Sequence, residues 1–154
     1  MGGNFMKRLI ISGLLLLMFA LGAKAQNNMN IAKIFDGNYK KMKDVTQVNI
    51  KGGCELERYS LTLYRAFTVE NNPSLAAEIE KLVVADGKKA IAKETKIKGG
   101  KLYYAVYTFE GDKGTKKYMF YRNSKSKSDP KSTTVTVVYM EGTASMEKLK
   151  RMFN

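Results

Sequence analysis

Two side chains that enzymes use heavily for proton and group transfer are nearly missing from these 154 residues: there is no His, and Cys54 is the only Cys. That composition removes Ser-His-Asp and Cys-His nucleophilic catalysis, and it removes zinc sites built from imidazole or paired thiolates. Gly111-Asp112-Lys113-Gly114-Thr115 offers one carboxylate among lysines, which makes a turn and not a calcium loop. The pairs Gly52-Gly53 and Gly99-Gly100 lack the longer glycine pattern with Lys-Ser or Lys-Thr that cradles phosphate. No metal and no cofactor is expected.

Carboxylate pairs are the remaining route to hydrolysis. Glu55 and Glu57 would face one side if their stretch is extended, and Glu78 with Glu80 fall on a helical segment. Both pairs read more plainly as solvated surface. A better lead is the interleaving of Tyr and Lys between Lys96 and Arg122, where Tyr103, Tyr104, Tyr107, Phe109, Tyr118, Phe120 and Tyr121 occupy two neighbouring strands. Alternation sends Tyr103, Tyr107 and Phe109 to one face and Tyr104 to the other. Rings for contact area and lysines for long-range attraction suit an anionic ligand. The expected binding residues are Lys98, Lys101, Tyr103, Tyr107, Lys116, Lys117, Tyr118 and Arg122. The competing account is that Tyr is a good strand former and Lys keeps a surface soluble.

These side chains are positioned by elements that the apolar spacing outlines. A first helix is expected between Asn30 and Lys43, then a half-buried strand from Val45 to Lys51 closed by Gly52-Gly53. A strand follows from Tyr59 to Glu70. Asn72-Pro73 opens a helix that Gly87 is placed to stop. Lys93 to Lys98 and Leu102 to Glu110 flank Gly99-Gly100 as a tight hairpin, and Lys117 to Arg122 returns after Gly111 to Gly114. Ser124 to Ser132 reads as a mobile loop before a strand at Thr133 to Met140, and a short helix begins near Ser145. Ile50-Lys51-Gly52-Gly53 recurs as Ile97-Lys98-Gly99-Gly100, each after a helix and a strand. The expected fold is α+β: a single antiparallel sheet of about five strands, two or three helices packed on one face, and, if the repeat is real, two helix-hairpin units.

The first 25 residues read as an address. Lys7 and Arg8 precede the apolar run Leu9 to Gly22, and Ala23-Lys24-Ala25 supplies the small-x-small cleavage pattern. Cleavage there would leave residues 26–154 as one domain, with no membrane span, in the periplasm, at the cell surface or in the medium. The net charge of +13 becomes +10 when Lys7, Arg8 and Lys24 leave. Residues 88–131 hold 13 basic and 4 acidic side chains, which concentrates that charge in one third of the mature chain. Such a block attracts polyanions, and export makes nucleic acid the least expected of them. Cys54, alone in an exported chain, is expected to be buried.

Asp44-Val45-Thr46-Gln47-Val48, the stretch Leu63 to Ala77 around Val69-Glu70-Asn71-Asn72-Pro73-Ser74-Leu75, and the ending Thr136 to Phe153 resemble a family of small exported bacterial proteins known only as a domain of unknown function. The resemblance implies an α+β sheet fold and no assigned activity. Three functional expectations follow. The first is a non-enzymatic envelope module that binds an anionic glycan or envelope surface. The second is a protein acting through a protein partner or as a homodimer, and the third is a hydrolase using acidic residues.

Overall fold

The computed structural model describes residues 29–125 and 129–153. The proposed signal and its cleavage site lie outside them, as do residues 126–128 of the expected loop. Among the described residues no helix is long and apolar enough to cross a membrane.

Six strands form one antiparallel sheet: β1 (Val45–Lys51), β2 (Leu61–Glu70), β3 (Ala92–Lys98), β4 (Lys101–Glu110), β5 (Lys116–Lys125) and β6 (Thr133–Gly142). Their order across the sheet is β1-β2-β6-β5-β4-β3, so β1 and β3 are the two edges. Among the described residues three α-helices accompany them: α1 (Cys54–Glu57), α2 (Pro73–Gly87) and α3 (Met146–Met152).

Helices cover both faces, not one. The 3-10 helix Asn30–Phe35 and α2 pack Ile31, Ile34, Leu75, Ile79 and Val83 onto Phe67, Ala105, Tyr107, Met119, Tyr121 and Val137. On the opposite face α1 and α3 set Leu56 and Leu149 against Leu61, Tyr118, Phe120, Val138 and Met140. The cause lies in the central strands. Tyr118 to Tyr121 and Val137 to Met140 are buried residue after residue, and a strand apolar on both sides needs cover on both sides.

The expected first helix is reduced to that 3-10 helix. Gly37 takes φ +95° and turns the chain out, leaving residues 38–44 in turns. What holds the short helix is Asp86, buried in the last turn of α2. Its carboxylate accepts from the Asn30 and Ile31 backbone N–H groups at 2.7 and 2.8 Å. The helix after Asn72-Pro73 forms as expected, with the Asn72 side chain accepting from Leu75 N–H at 3.0 Å. It does end at Gly87, but for a different reason. A Cβ there would stand 2.5 Å from Cζ of Tyr107, so the glycine admits the tyrosine ring.

Gly99 and Gly100 take φ +57° and +75° and close the β3–β4 hairpin as read. Gly52-Gly53 instead leads into α1, whose outer side leaves Cys54 exposed, contrary to the expected burial. The two four-residue repeats end β1 and β3, at opposite edges and opposite ends of the sheet. The helices preceding them share one face, which is the arrangement a two-fold axis through the sheet would produce.

Candidate functional site

α3 and α1 cover only part of their face, and the rest is open. Strand register fixes what the open part displays. Thr46 is opposite Thr68, Thr68 opposite Thr136, Thr136 opposite Arg122, Arg122 opposite Tyr104, and Tyr104 opposite Lys96. One row therefore crosses all six strands with three hydroxyls, a guanidinium, a phenol and an ammonium. The next row toward α3 is apolar, running Val48, Ala66, Val138, Phe120 and Val106 to Glu94.

Two depressions meet at Arg122. One of about 420 Å³ has Tyr104, Phe120, Thr136 and Val138 in its wall, with Lys150 and Phe153 of the α3 end above them. Phe153 stacks on Phe120 with ring centroids 4.7 Å apart, and Lys150 Nζ reaches Glu94 at 2.5 Å. That contact holds the Glu94 carboxyl below its usual range and lifts Lys150. The other depression, about 630 Å³, is lined by Lys98, Lys101, Tyr103, Arg122 and Lys125.

Tyr103 departs from the expected alternation. Ile97 pairs with Leu102 while Lys96 pairs with Tyr104, so Tyr103 is the extra residue of a bulge. Its ring lies beneath Lys98, with Nζ 3.9 Å from the centroid. The Arg122 guanidinium beside it, then the charge of Lys98, hold its hydroxyl below the ordinary tyrosine value. Lys96 stands 5.6 Å from the Tyr104 centroid in the same manner. Among the described residues Arg122 has no carboxylate within ion-pair distance.

Of the residues singled out from sequence, Lys98, Lys101, Tyr103 and Arg122 come together here. Lys116 and Lys117 do not. They sit at the far end of β5, roughly 17 to 20 Å from Arg122 at ~3.3 Å per strand residue. Tyr107 and Tyr118 are packed inside, 4% and 1% exposed, and the Tyr118 hydroxyl donates to the Ala144 carbonyl at 2.5 Å. The threonines, Tyr104, Lys125 and Lys150 were missed. Alternation along each strand could place each threonine on a face, but only the long-range register aligns them.

The carboxylates considered for hydrolysis are dispersed. Glu55 and Glu57 are two residues apart on a helix, which turns them to different sides. Glu80 accepts from Leu102 N–H at 3.1 Å, and Glu78 faces the Tyr39 hydroxyl at 3.4 Å. No cluster of acidic or Cys side chains able to hold a metal occurs among the described residues.

A family model described as a family of unknown function (DUF6108) matches residues 18–153. No curated protein and no solved structure matches the chain.

Proposed function

The chain belongs to this family of unknown function, and from that premise we propose that it is an exported, non-enzymatic binding module of the cell envelope that recognises an anionic glycan on the open sheet face. One observation carries the reading. Arg122, without a carboxylate partner among the described residues, stands between two depressions, each with a tyrosine on its wall and a lysine against that ring. A linear acidic sugar chain would lay one residue in each depression, stack on Tyr103 and Tyr104, and place a carboxylate or sulfate against the guanidinium. Thr136 and Thr68 continue the row with hydroxyls suited to sugar oxygens. The surrounding lysines speed encounter without fixing orientation.

The test is calorimetry with uronate-bearing and sulfated oligosaccharides against neutral ones at low and physiological salt. Saturable binding of the acidic set is expected to persist at physiological salt and to fall about ten- to a hundredfold in Arg122→Ala, the weight of a charge-assisted hydrogen bond. Lys116→Ala, at the far end of β5, should leave it unchanged. Binding that salt erases, or that Lys116→Ala weakens as much as Arg122→Ala, counts against the site.

A further inference from the structure

We propose that two copies of the chain pair through β1, antiparallel about Asn49, and so continue the sheet across a two-fold axis. The two edges of the sheet are unlike. β3 carries Lys93, Glu94, Lys96 and Lys98, charges of the kind that keep an edge from being extended. Val45 to Ile50 of β1 carries none, and its open-face side chains Val48 and Ile50 are 42% and 41% exposed. An edge whose one charge, Lys51, stands at its end, and which is apolar on one face, is a template for another strand.

The backbone fixes the register. Gly52 N–H donates to Thr62 O, and Glu70 N–H donates to Asp44 O. Even-numbered residues of β1 therefore turn their peptide groups toward β2, and odd-numbered ones turn theirs outward. Val45 N–H is already taken by Met42 O, which leaves Gln47, Asn49 and Lys51 with outward donors and acceptors. The only antiparallel self-pairing that uses all three sets Gln47 opposite Lys51 of the second copy, Lys51 opposite Gln47, and Asn49 opposite itself. The same register puts Val48 directly opposite Ile50 of the second copy, twice, which covers the two exposed apolar residues. It opposes no like charges. On the helix-covered face the Gln47 side chain is held by Ile34 O at 3.2 Å, clear of the incoming strand. A single added strand buries less than the ~800 Å² per partner of a standard stable interface, so the dimer forms with rising concentration.

This proposal is independent of glycan binding, since β1 is the edge farthest from Tyr103 and Lys98. The experiment uses the full chain expressed in cells, with Cys54→Ser removing the exposed thiol. Val48→Cys and Ile50→Cys chains, separately tagged and co-expressed, should form a mixed disulfide on mild oxidation. Residues opposite each other at such non-hydrogen-bonded positions have Cα atoms about 4.5 Å apart, within disulfide reach. Neither chain expressed alone should cross-link as well. In sedimentation equilibrium the protein should dimerise, and Asn49→Lys, which sets two like charges face to face, should raise the dissociation constant at least about tenfold. Thr95→Lys on β3 should not. A chain that stays monomeric at the highest soluble concentration, a dimer that tolerates Asn49→Lys, or cross-linking as efficient with Val48→Cys alone overturns the proposal.

Discussion

Tyr121 shows how one atom can set both a stability cost and a pH limit. Its ring is 1% exposed beneath α2, and its hydroxyl finds no hydrogen-bond partner among the described residues. A buried hydroxyl without a partner costs free energy, so Tyr121→Phe should stabilise the fold by about 1 kcal/mol at neutral pH, read from urea unfolding. Burial first, and the negative charge of Glu80 second, push its ionisation from 10.0 up to about 12, against a smaller opposing pull from the Asn123 side chain, which does not meet hydrogen-bond geometry with the hydroxyl. The sign follows from which form the fold tolerates. Folding favours the protonated phenol, so its contribution is whole below pH 10 and declines as the unfolded chain ionises between 10 and about 12. Tyr139 is raised in the same direction by burial and by donating to Glu141 at 2.6 Å. Alkaline unfolding should therefore begin above pH 10, and Tyr121→Phe should flatten the fall. An unchanged alkaline slope would mean that this phenol is solvated in the native state.

At the scale of elements the contact that most needs explaining is Asp86. It joins the last turn of α2 to the start of the 3-10 helix, which has too few residues and too poor a geometry to persist unaided. Asp86→Ala would take the acceptor from the buried Ile31 N–H and the half-buried Asn30 N–H and should cost about 2 to 4 kcal/mol. Asp86→Asn should recover only part of this, because an amide can accept with one oxygen where the carboxylate accepts with two. Urea unfolding of the two variants measures the difference, and equal stability would show that the 3-10 helix is held by Ile31 and Ile34 alone. The role of Asp86 was hidden in the sequence because its partners lie more than fifty positions away. Local signals were legible: Asn72-Pro73 opened α2, Ser145 opened α3, and Gly99-Gly100 turned the hairpin. The expectation of helices on one face failed at β5 and β6, where unbroken apolar runs meant two buried faces. The site was half legible for the same reason. Lys98, Lys101, Tyr103 and Arg122 are near in sequence or joined by hairpins, whereas Thr46, Thr68 and Thr136 align only through the order of strands.

For the whole molecule, the proposed binding sets charge placement against stability. Lys96, Lys98, Lys101, Arg122 and Lys125 crowd one end of the sheet, and Lys98 lies directly opposite Lys101 in the hairpin ladder. Like charges placed so destabilise a sheet, and they are tolerated where a ligand later neutralises them. Screening should then help. Raising ionic strength from 0.01 to 0.15 M shortens the Debye length from about 30 to about 8 Å, and the thermal midpoint should rise, the reverse of a fold held by surface ion pairs. Lys101→Glu turns the opposed pair into an attractive one and should add about 0.5 kcal/mol at low salt, a degree or two in midpoint. The same substitution should weaken acidic oligosaccharides by bringing a carboxylate into their depression. Opposite signs on stability and binding are what a charged recognition surface requires. A gain in midpoint with binding untouched would instead assign these lysines to solubility, and Arg122 alone would have to hold the ligand.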